Sequence, residues 1–271
     1  MSAMSSLPTR IVCLTEETVE TLYLLGEQDR IVGISGFTVR PPEARRDKPK
    51  VSAFTSARYE KILDLEPDLV IGFSDLQADI AAELIRRGVD VLITNQRSVG
   101  EILKSVQMVA NIVGATEAGL ALVASMNTRL SDARVAADAL HYRPRVYFEE
   151  WDDPLISAIG WVSELIEIAG GEDCFADLGR HGGATARIIA DPWEVVRRDP
   201  ELIIGSWCGK KFRPEKIASR DGWQSVTAVR QGQIAEIKSP DILQPGTAAL
   251  TDGLDALRRL ITAATMTFPT T

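Results

Sequence analysis

Residues 60–72 read Glu60-Lys61-Ile62-Leu63-Asp64-Leu65-Glu66-Pro67-Asp68-Leu69-Val70-Ile71-Gly72, and residues 193–205 read Trp193-Glu194-Val195-Val196-Arg197-Arg198-Asp199-Pro200-Glu201-Leu202-Ile203-Ile204-Gly205. Each is a short helix, an acidic-Pro-acidic turn and an apolar run ending in glycine. The proline cannot continue the helix, and the β-branched run after it suits a buried strand. One such unit in each half of the chain predicts two similar lobes of the same architecture.

Working outward, strands and helices alternate. Apolar runs at Ile11 to Leu14, Ile31 to Ile34, Leu69 to Phe73 and Val89 to Thr94 read as strands. Between them, Thr15 offers an N-cap ahead of Glu16 and Glu17, and Val19, Leu22 and Tyr23 give a helical stripe closed by Gly26. Leu76, Ile80 and Leu84 form another apolar face, and Ser98 with Glu101 makes a capping box for a helix carrying Ile102, Val106, Val109 and Val113. Strands this far apart cannot form hairpins, so the fold class is α/β with parallel sheets. A second series follows, with strands at Arg145 to Phe148, Leu202 to Gly205 and Ile234 to Ile237, and a last amphipathic helix from about Ala248 to Ala264.

Between the two series, Thr116 to about Leu140 is Ala-rich and free of proline, with Leu120, Val123, Leu130, Val135 and Ala139 as its apolar residues. It reads as one helix of about 24 residues, ~36 Å long. The expected organisation is therefore an N-terminal lobe over 1–114, a linking backbone helix over 115–141 and a C-terminal lobe over 142–271.

Composition excludes several function classes. The 271 residues are 45% apolar and 25% charged, the balance of a globular protein. No apolar run approaches the ~18 residues of a membrane span. With Lys+Arg 30 against Asp+Glu 38, the net charge of −8 repels nucleic acid. Cys13, Cys174 and Cys208 are odd in number and widely spaced, which fits neither a disulfide framework nor a zinc knuckle. Met1 to Thr9 shows no signal-peptide pattern, so the chain as written is expected in the cytoplasm, and in the periplasm if the true start lies upstream.

The sequence resembles the helical-backbone substrate-binding proteins of ABC importers, most closely their cobalamin- and ferric-siderophore-binding members. The resemblance runs from Arg10 to about Ile261. It is carried by Arg10-Ile11-Val12-Cys13-Leu14-Thr15, Glu20-Thr21-Leu22, Leu25-Gly26, Asp29 to Ser35, Pro41-Pro42-Glu43-Ala44, Lys61 to Ile71, and Gly222-Trp223 through Ile234. It implies a ligand held in a cleft between two lobes that a single helix keeps from wide hinge motion. That ligand would be a cobalamin-like corrinoid or a ferric chelate, with no cofactor required. The partners implied are the small molecule and an ABC permease.

Large flat ligands stack on aromatic rings, and ligands of open parallel sheets bind beyond the carboxyl ends of the strands. Phe37, Phe54 and Phe73 each fall at or just after a predicted strand or in the loop that follows it, at positions where the resemblance places aromatic contacts. Trp151, Trp161 and Trp207 are the candidates from the second half. Of these, Trp161 also suits a packing role, as do Trp193 and Trp223.

Glu149-Glu150-Trp151-Asp152-Asp153 is the most unusual local chemistry. Read as a loop, it is either a solvated face, a hard-cation site, or a set of acceptors for ligand amides. Lys210, Lys211 and Arg213 would pair with it or grip ligand carboxylates and phosphate. Cys208, in Trp207-Cys208-Gly209-Lys210, is either a reactive thiol beside cations or a small core thiol. His141 suits the end of the long helix, and His181 is a candidate axial ligand to cobalt or iron. Two histidines cannot build a three-histidine zinc or manganese site.

The resemblance departs in one respect that bears on docking. The glutamates that dock such receptors on their permease fall near Asp47, within the basic stretch Arg45 to Lys50, and at about Trp193, next to Glu194. Docking as in those importers is therefore in doubt. No GxGxxG, Walker, GxSxG or HExxH motif is present. The expectation is non-catalytic binding, with an intracellular enzyme or metallo-chaperone acting on such a ligand as the alternative. A partner-binding protein with an empty cleft is the third reading.

Overall fold

The computed structural model describes residues 7–180 and 182–267. The fold is α/β, with two sheets and one long helix. Its contacts divide the chain into a first unit, running to Gln96 and taking in Gly100–Met126, and a second, of Arg97–Val99 and everything from Asn127.

The first unit holds β1 (Ile11–Cys13), β2 (Ile31–Ser35), β3 (Lys50–Ser52), β4 (Leu69–Phe73) and β5 (Val91–Thr94), all parallel in the order β3-β2-β1-β4-β5. β1 and β4 are buried along their whole length, as central strands of a sheet covered on both faces must be. Alternate residues feed two cores. Ile11, Cys13 and Ile71 pack with Val19 and Leu22 of the helix Glu16–Leu24 and with Val109 and Val113. Val12, Leu14 and Val70 pack on the other face with Ile62, Ile80 and Leu84. Leu76, read above as part of that second face, is exposed, because helix Ala78–Arg86 starts only after it.

The second unit holds β6 (Arg145–Asp152), β7 (Leu155–Ser157), β8 (Glu172–Asp173), β9 (Leu202–Gly205) and β10 (Ile234–Glu236). The sheet runs β10-β9-β6-β7, with β8 pairing the start of β6. One strand departs from the parallel pattern, since β7 is antiparallel to β6. Only Asp153 and Pro154 separate the two strands, and a two-residue connection can return the chain only antiparallel. β6 also runs four residues past Phe148, so the acidic run lies mostly within a strand and not in a loop.

The long helix spans Thr116–Asp138, about 35 Å at 1.5 Å per residue. Its buried stripe is Met126, Leu130, Ala133 and Ala137, at helical spacing. Leu120, Val135 and Ala139, expected on an apolar face, are exposed. The C-terminal helix Leu254–Thr265 is preceded by a wider π turn over Ala249–Gly253. At Gly253 a Cβ would come within 2.5 Å of the Asp241 carbonyl, so glycine permits this close approach.

Candidate ligand-binding site

In the first unit the carboxyl ends of β2, β3 and β4 deliver the three phenylalanines to one edge of the sheet. Phe37 is 66% exposed, Phe54 is half-buried and Phe73 is buried at the end of β4. Gln77 ties this edge together. Its Oε1 accepts from Phe73 N at 3.0 Å, and its Nε2 donates to the Phe54 carbonyl at 2.8 Å. Phe37 sits in a loop held by Glu16, whose Oε2 accepts from the backbone N–H groups of Val39 and, at 3.0 Å, Arg40.

Glu16 and Glu17 open the first helix, where acidic residues suit the positive end of the dipole. Both are in fact buried. Thr15 stands at the N-cap position, but its hydroxyl donates to Glu17 Oε1 at 2.5 Å and caps nothing. Burial pushes both carboxyls up to about 7. Backbone donors from Val39 and Arg40 oppose the rise at Glu16, and the Thr15 hydroxyl opposes it at Glu17.

In the second unit the relevant edge is the carboxyl end of neighbouring parallel strands, β6 and β9. Glu149 pairs with Ser157 and Asp152 with Leu155, while Trp151 pairs with Ile156, so the register slips by one residue at Glu150. This bulge brings Glu149 and Asp152 to the same face. Glu149 is fully buried. Arg220 clasps it with two hydrogen bonds, Nη1 to Oε2 at 2.5 Å and Nη2 to Oε1 at 2.9 Å. Trp207 Nε1 donates to the same Oε1 at 3.0 Å, and the Tyr147 hydroxyl donates to Oε2 at 3.0 Å. Burial, and after it the Glu149 charge, hold Tyr147 well above its ordinary value, so it remains a donor.

Glu150 and Asp152 are committed as well, while Asp153 is exposed. Glu150 takes both ends of the buried Arg187 guanidinium, at 2.6 and 3.1 Å. Asp152 receives Lys210 Nζ on Oδ1 at 2.5 Å and Lys216 Nζ on Oδ2. Burial alone would raise the Asp152 carboxyl, but the two lysines outweigh it and hold it below the usual carboxylate range. A hard-cation site in this run is thus corrected to a set of ion pairs within the chain. Among the described residues no group of three or more His, Cys, Asp or Glu is placed to hold a metal.

The aromatic candidates separate by exposure. Trp151 is half-buried, with its indole N–H on the Asp153 carbonyl at 2.8 Å. Lys210 lies over the Trp151 ring at 5.1 Å and over Trp207 at 5.3 Å. Trp207 is 3% exposed and packs edge-on to Phe212 at 5.0 Å, so it presents little open ring. Trp161 lies in the core with its N–H on the Ile242 carbonyl at 2.9 Å. Trp223 is buried as well, and Trp193 is half-exposed. Cys208 is exposed beside Trp207. His181 lies outside the described residues. Asp47 pairs with Arg46 at 2.7 Å, and Glu194 accepts from Arg197 and Arg198 at 2.8 and 2.9 Å.

Sequence reading missed Arg187, Lys216 and Arg220, which complete the charge pairs from 37 to 71 positions away. Only the excess of basic residues after Gly205 pointed to two of them.

The two α/β units and the long mid-chain helix find their match among known families. Residues 11–240 match the periplasmic binding protein family. The chain belongs to that family. It is accordingly a solute-binding protein and not an enzyme, which sets aside the catalytic alternative. Among curated relatives of this periplasmic binding protein, an ABC transporter substrate-binding lipoprotein of Bacillus subtilis is 26% identical over 94% of this chain and 80% of its own. A cobalamin-binding protein of Halobacterium salinarum is 23% identical over 89% of this chain, which spans 66% of that longer protein. Among solved structures, the periplasmic heme-binding protein of Roseiflexus sp. RS-1, in apo form, superposes with a TM-score of 0.78 at 25% identity. That match covers 93% of this chain and 98% of the other.

A recess of about 520 Å³ lies elsewhere in the second unit, along Ala133, Ala137 and Leu140 and the helix carrying Asp255 and Arg258. It has no aromatic wall, so it does not suit a flat ligand.

Proposed function

We propose that this periplasmic binding protein captures a metal chelate, of the corrinoid, haem or ferric-siderophore class, and hands it to an ABC permease. The observation that carries the reading is the gathering of Phe37 and Phe54 in one unit, and Trp151 with Lys210 in the other, at the carboxyl ends of parallel strands. Trp207 and Glu149 act behind Trp151, fixing the surface that the ligand meets. Trp161 and Phe73 support their units from within.

The names of the relatives support this class of ligand. The family and the Bacillus lipoprotein support a place of action outside the cytoplasm in preference to the cytoplasmic expectation. Among the described residues no helix is long and apolar enough to cross a membrane. Glu194 is the carboxylate we assign to that partner's basic groups, after exchange from Arg197 and Arg198.

Titration with cyanocobalamin, haemin and ferric hydroxamate, read by tryptophan quenching, tests the proposal. Binding of one of them at about 1 µM or tighter, weakened by Trp151→Ala, is the expected result. No quenching by any at ~100 µM overturns it.

A further inference from the structure

The segment 207–220 carries Lys210, Lys211, Arg213, Lys216 and Arg220 against the single acid Glu215, in a chain whose net charge is −8. Arg220 is spent on the buried Glu149. Lys210 and Lys216 instead converge on one carboxylate, taking one oxygen of Asp152 each. Neutralising Asp152 needs one lysine, so the second is surplus to the fold. The Asp152 side chain is fully buried, whereas those of Lys210 and Lys216 are 39% and 49% exposed. The carboxylate therefore lies behind and the two ammonium groups in front. Each ammonium has three donors and gives one to Asp152. Two like charges held this close repel, and a second oxyanion on the open side would relieve them. The half-buried Trp151 ring lies beside the pair, at the strand ends where ligands of such sheets bind.

We propose that Lys210 and Lys216, fixed by Asp152 beside Trp151, form a seat for an oxyanion on the rim of the flat ligand. The seat makes this protein select chelates bearing peripheral carboxylate or phosphate over those with a neutral rim. This rests on the chelate-binding reading above and narrows its ligand class. Trp151 takes the ring by stacking, and the lysines take the acid by charge-assisted hydrogen bonds.

The test compares haemin with its dimethyl ester, which keeps the ring and metal and loses both carboxylates. Wild-type protein should bind haemin at least about tenfold more tightly than the diester, one charge-assisted hydrogen bond's worth. Lys210→Gln and Lys216→Gln should each weaken haemin about tenfold and leave the diester within about twofold. Raising salt should weaken haemin alone. Thermal melts identify any variant that unfolds once Asp152 loses a partner. In that case Asp152→Asn combined with Lys216→Gln replaces it, with the same selective loss expected. Competition by millimolar inorganic phosphate would mark a general oxyanion seat, and its failure a carboxylate seat; both agree with the proposal. Equal binding of haemin and diester overturns it, as does an equal loss on changing Lys211 and Arg213 to Gln, which would mean a diffuse field. Cyanocobalamin carries a phosphodiester, so tight cyanocobalamin binding that Lys210→Gln and Lys216→Gln leave within about twofold, with no haemin binding, overturns the seat but leaves the chelate reading standing. Failure of all probes removes both.

Discussion

Arg10 and Arg145 make corresponding contacts at equivalent positions, each within its own unit. Arg10 Nε donates to the carbonyls of Leu65 and Glu66 at 3.0 Å, and its backbone N–H to Asp68 Oδ1 at 2.9 Å. Arg145 Nε donates to the Asp199 carbonyl at 3.1 Å, and its backbone N–H to Glu201 Oε2 at 2.9 Å. Between these anchors Glu66 and Asp199 both adopt left-handed backbone, with φ of 46° and 41°. The likeness of 60–72 to 193–205 is thus a likeness of turn, register and capping as well as of sequence.

Left-handed backbone costs a residue with a Cβ roughly 1 kcal/mol relative to glycine. The Glu66 side chain is exposed, so Glu66→Gly should stabilise the protein by about 0.5–1 kcal/mol, read as a higher urea midpoint. At Asp199 the sign reverses. Its carboxylate accepts from Thr227 N at 2.7 Å and Thr227 Oγ1 at 2.9 Å, so Asp199→Gly loses more than it gains and lowers the midpoint.

The Glu149–Arg220 pair is buried, with the arginine side chain only 16% exposed. Removing one member leaves the other charge without compensation, at about 3–5 kcal/mol. Arg220→Met should therefore sharply lower the melting temperature. The double variant Glu149→Gln/Arg220→Met should regain most of the loss, because two neutral groups need no pairing. A double variant no more stable than Arg220→Met would show that shape, and not charge, dominates there.

How much of this was legible in the sequence follows from what each signal measures. β4 and β9 were readable to the residue, because a continuous β-branched run after Pro67 or Pro200 is a local pattern. β3 escaped, since Lys50-Val51-Ser52 has one apolar residue and is a strand only by pairing with β2. The Glu149–Asp153 run was visible as unusual, yet its meaning depended on Arg187, Lys216 and Arg220, whose approach is set by tertiary folding. Glu16 and Glu17 satisfy a helix-start pattern whether exposed or buried, so nothing local revealed their burial.

That burial gives a pH dependence with a definite sign. Glu17 titrates near 7 in the folded chain against an ordinary 4.5, so the folded state holds the proton more tightly. Its contribution to stability is complete below about pH 4.5, is lost as pH rises to about 7, and changes no further above that. Glu16 follows the same course. Glu17→Gln keeps an acceptor for Thr15 and removes the titration. It should leave stability unchanged at pH 4.5 and raise it at pH 7.5, by at most roughly 3 kcal/mol. Urea melts at both pH values check this, and equal gains at the two would assign the effect to packing.

Trp151 and Trp161 should respond oppositely to the same conservative change. Trp161→Phe strands the Ile242 carbonyl in the core and leaves a small void, for a loss of about 2–4 kcal/mol in stability. The remaining tryptophans should still be quenched by ligand with unchanged affinity. Trp151→Phe keeps a ring for stacking but gives up area and the hydrogen bond to Asp153, at the chain surface where a bond counts for little. Its melting temperature should stay within a few degrees of wild type while ligand affinity falls several-fold. Parallel melts and titrations separate the two roles. Affinity lost at Trp161 and kept at Trp151 would move the ligand surface away from the end of β6.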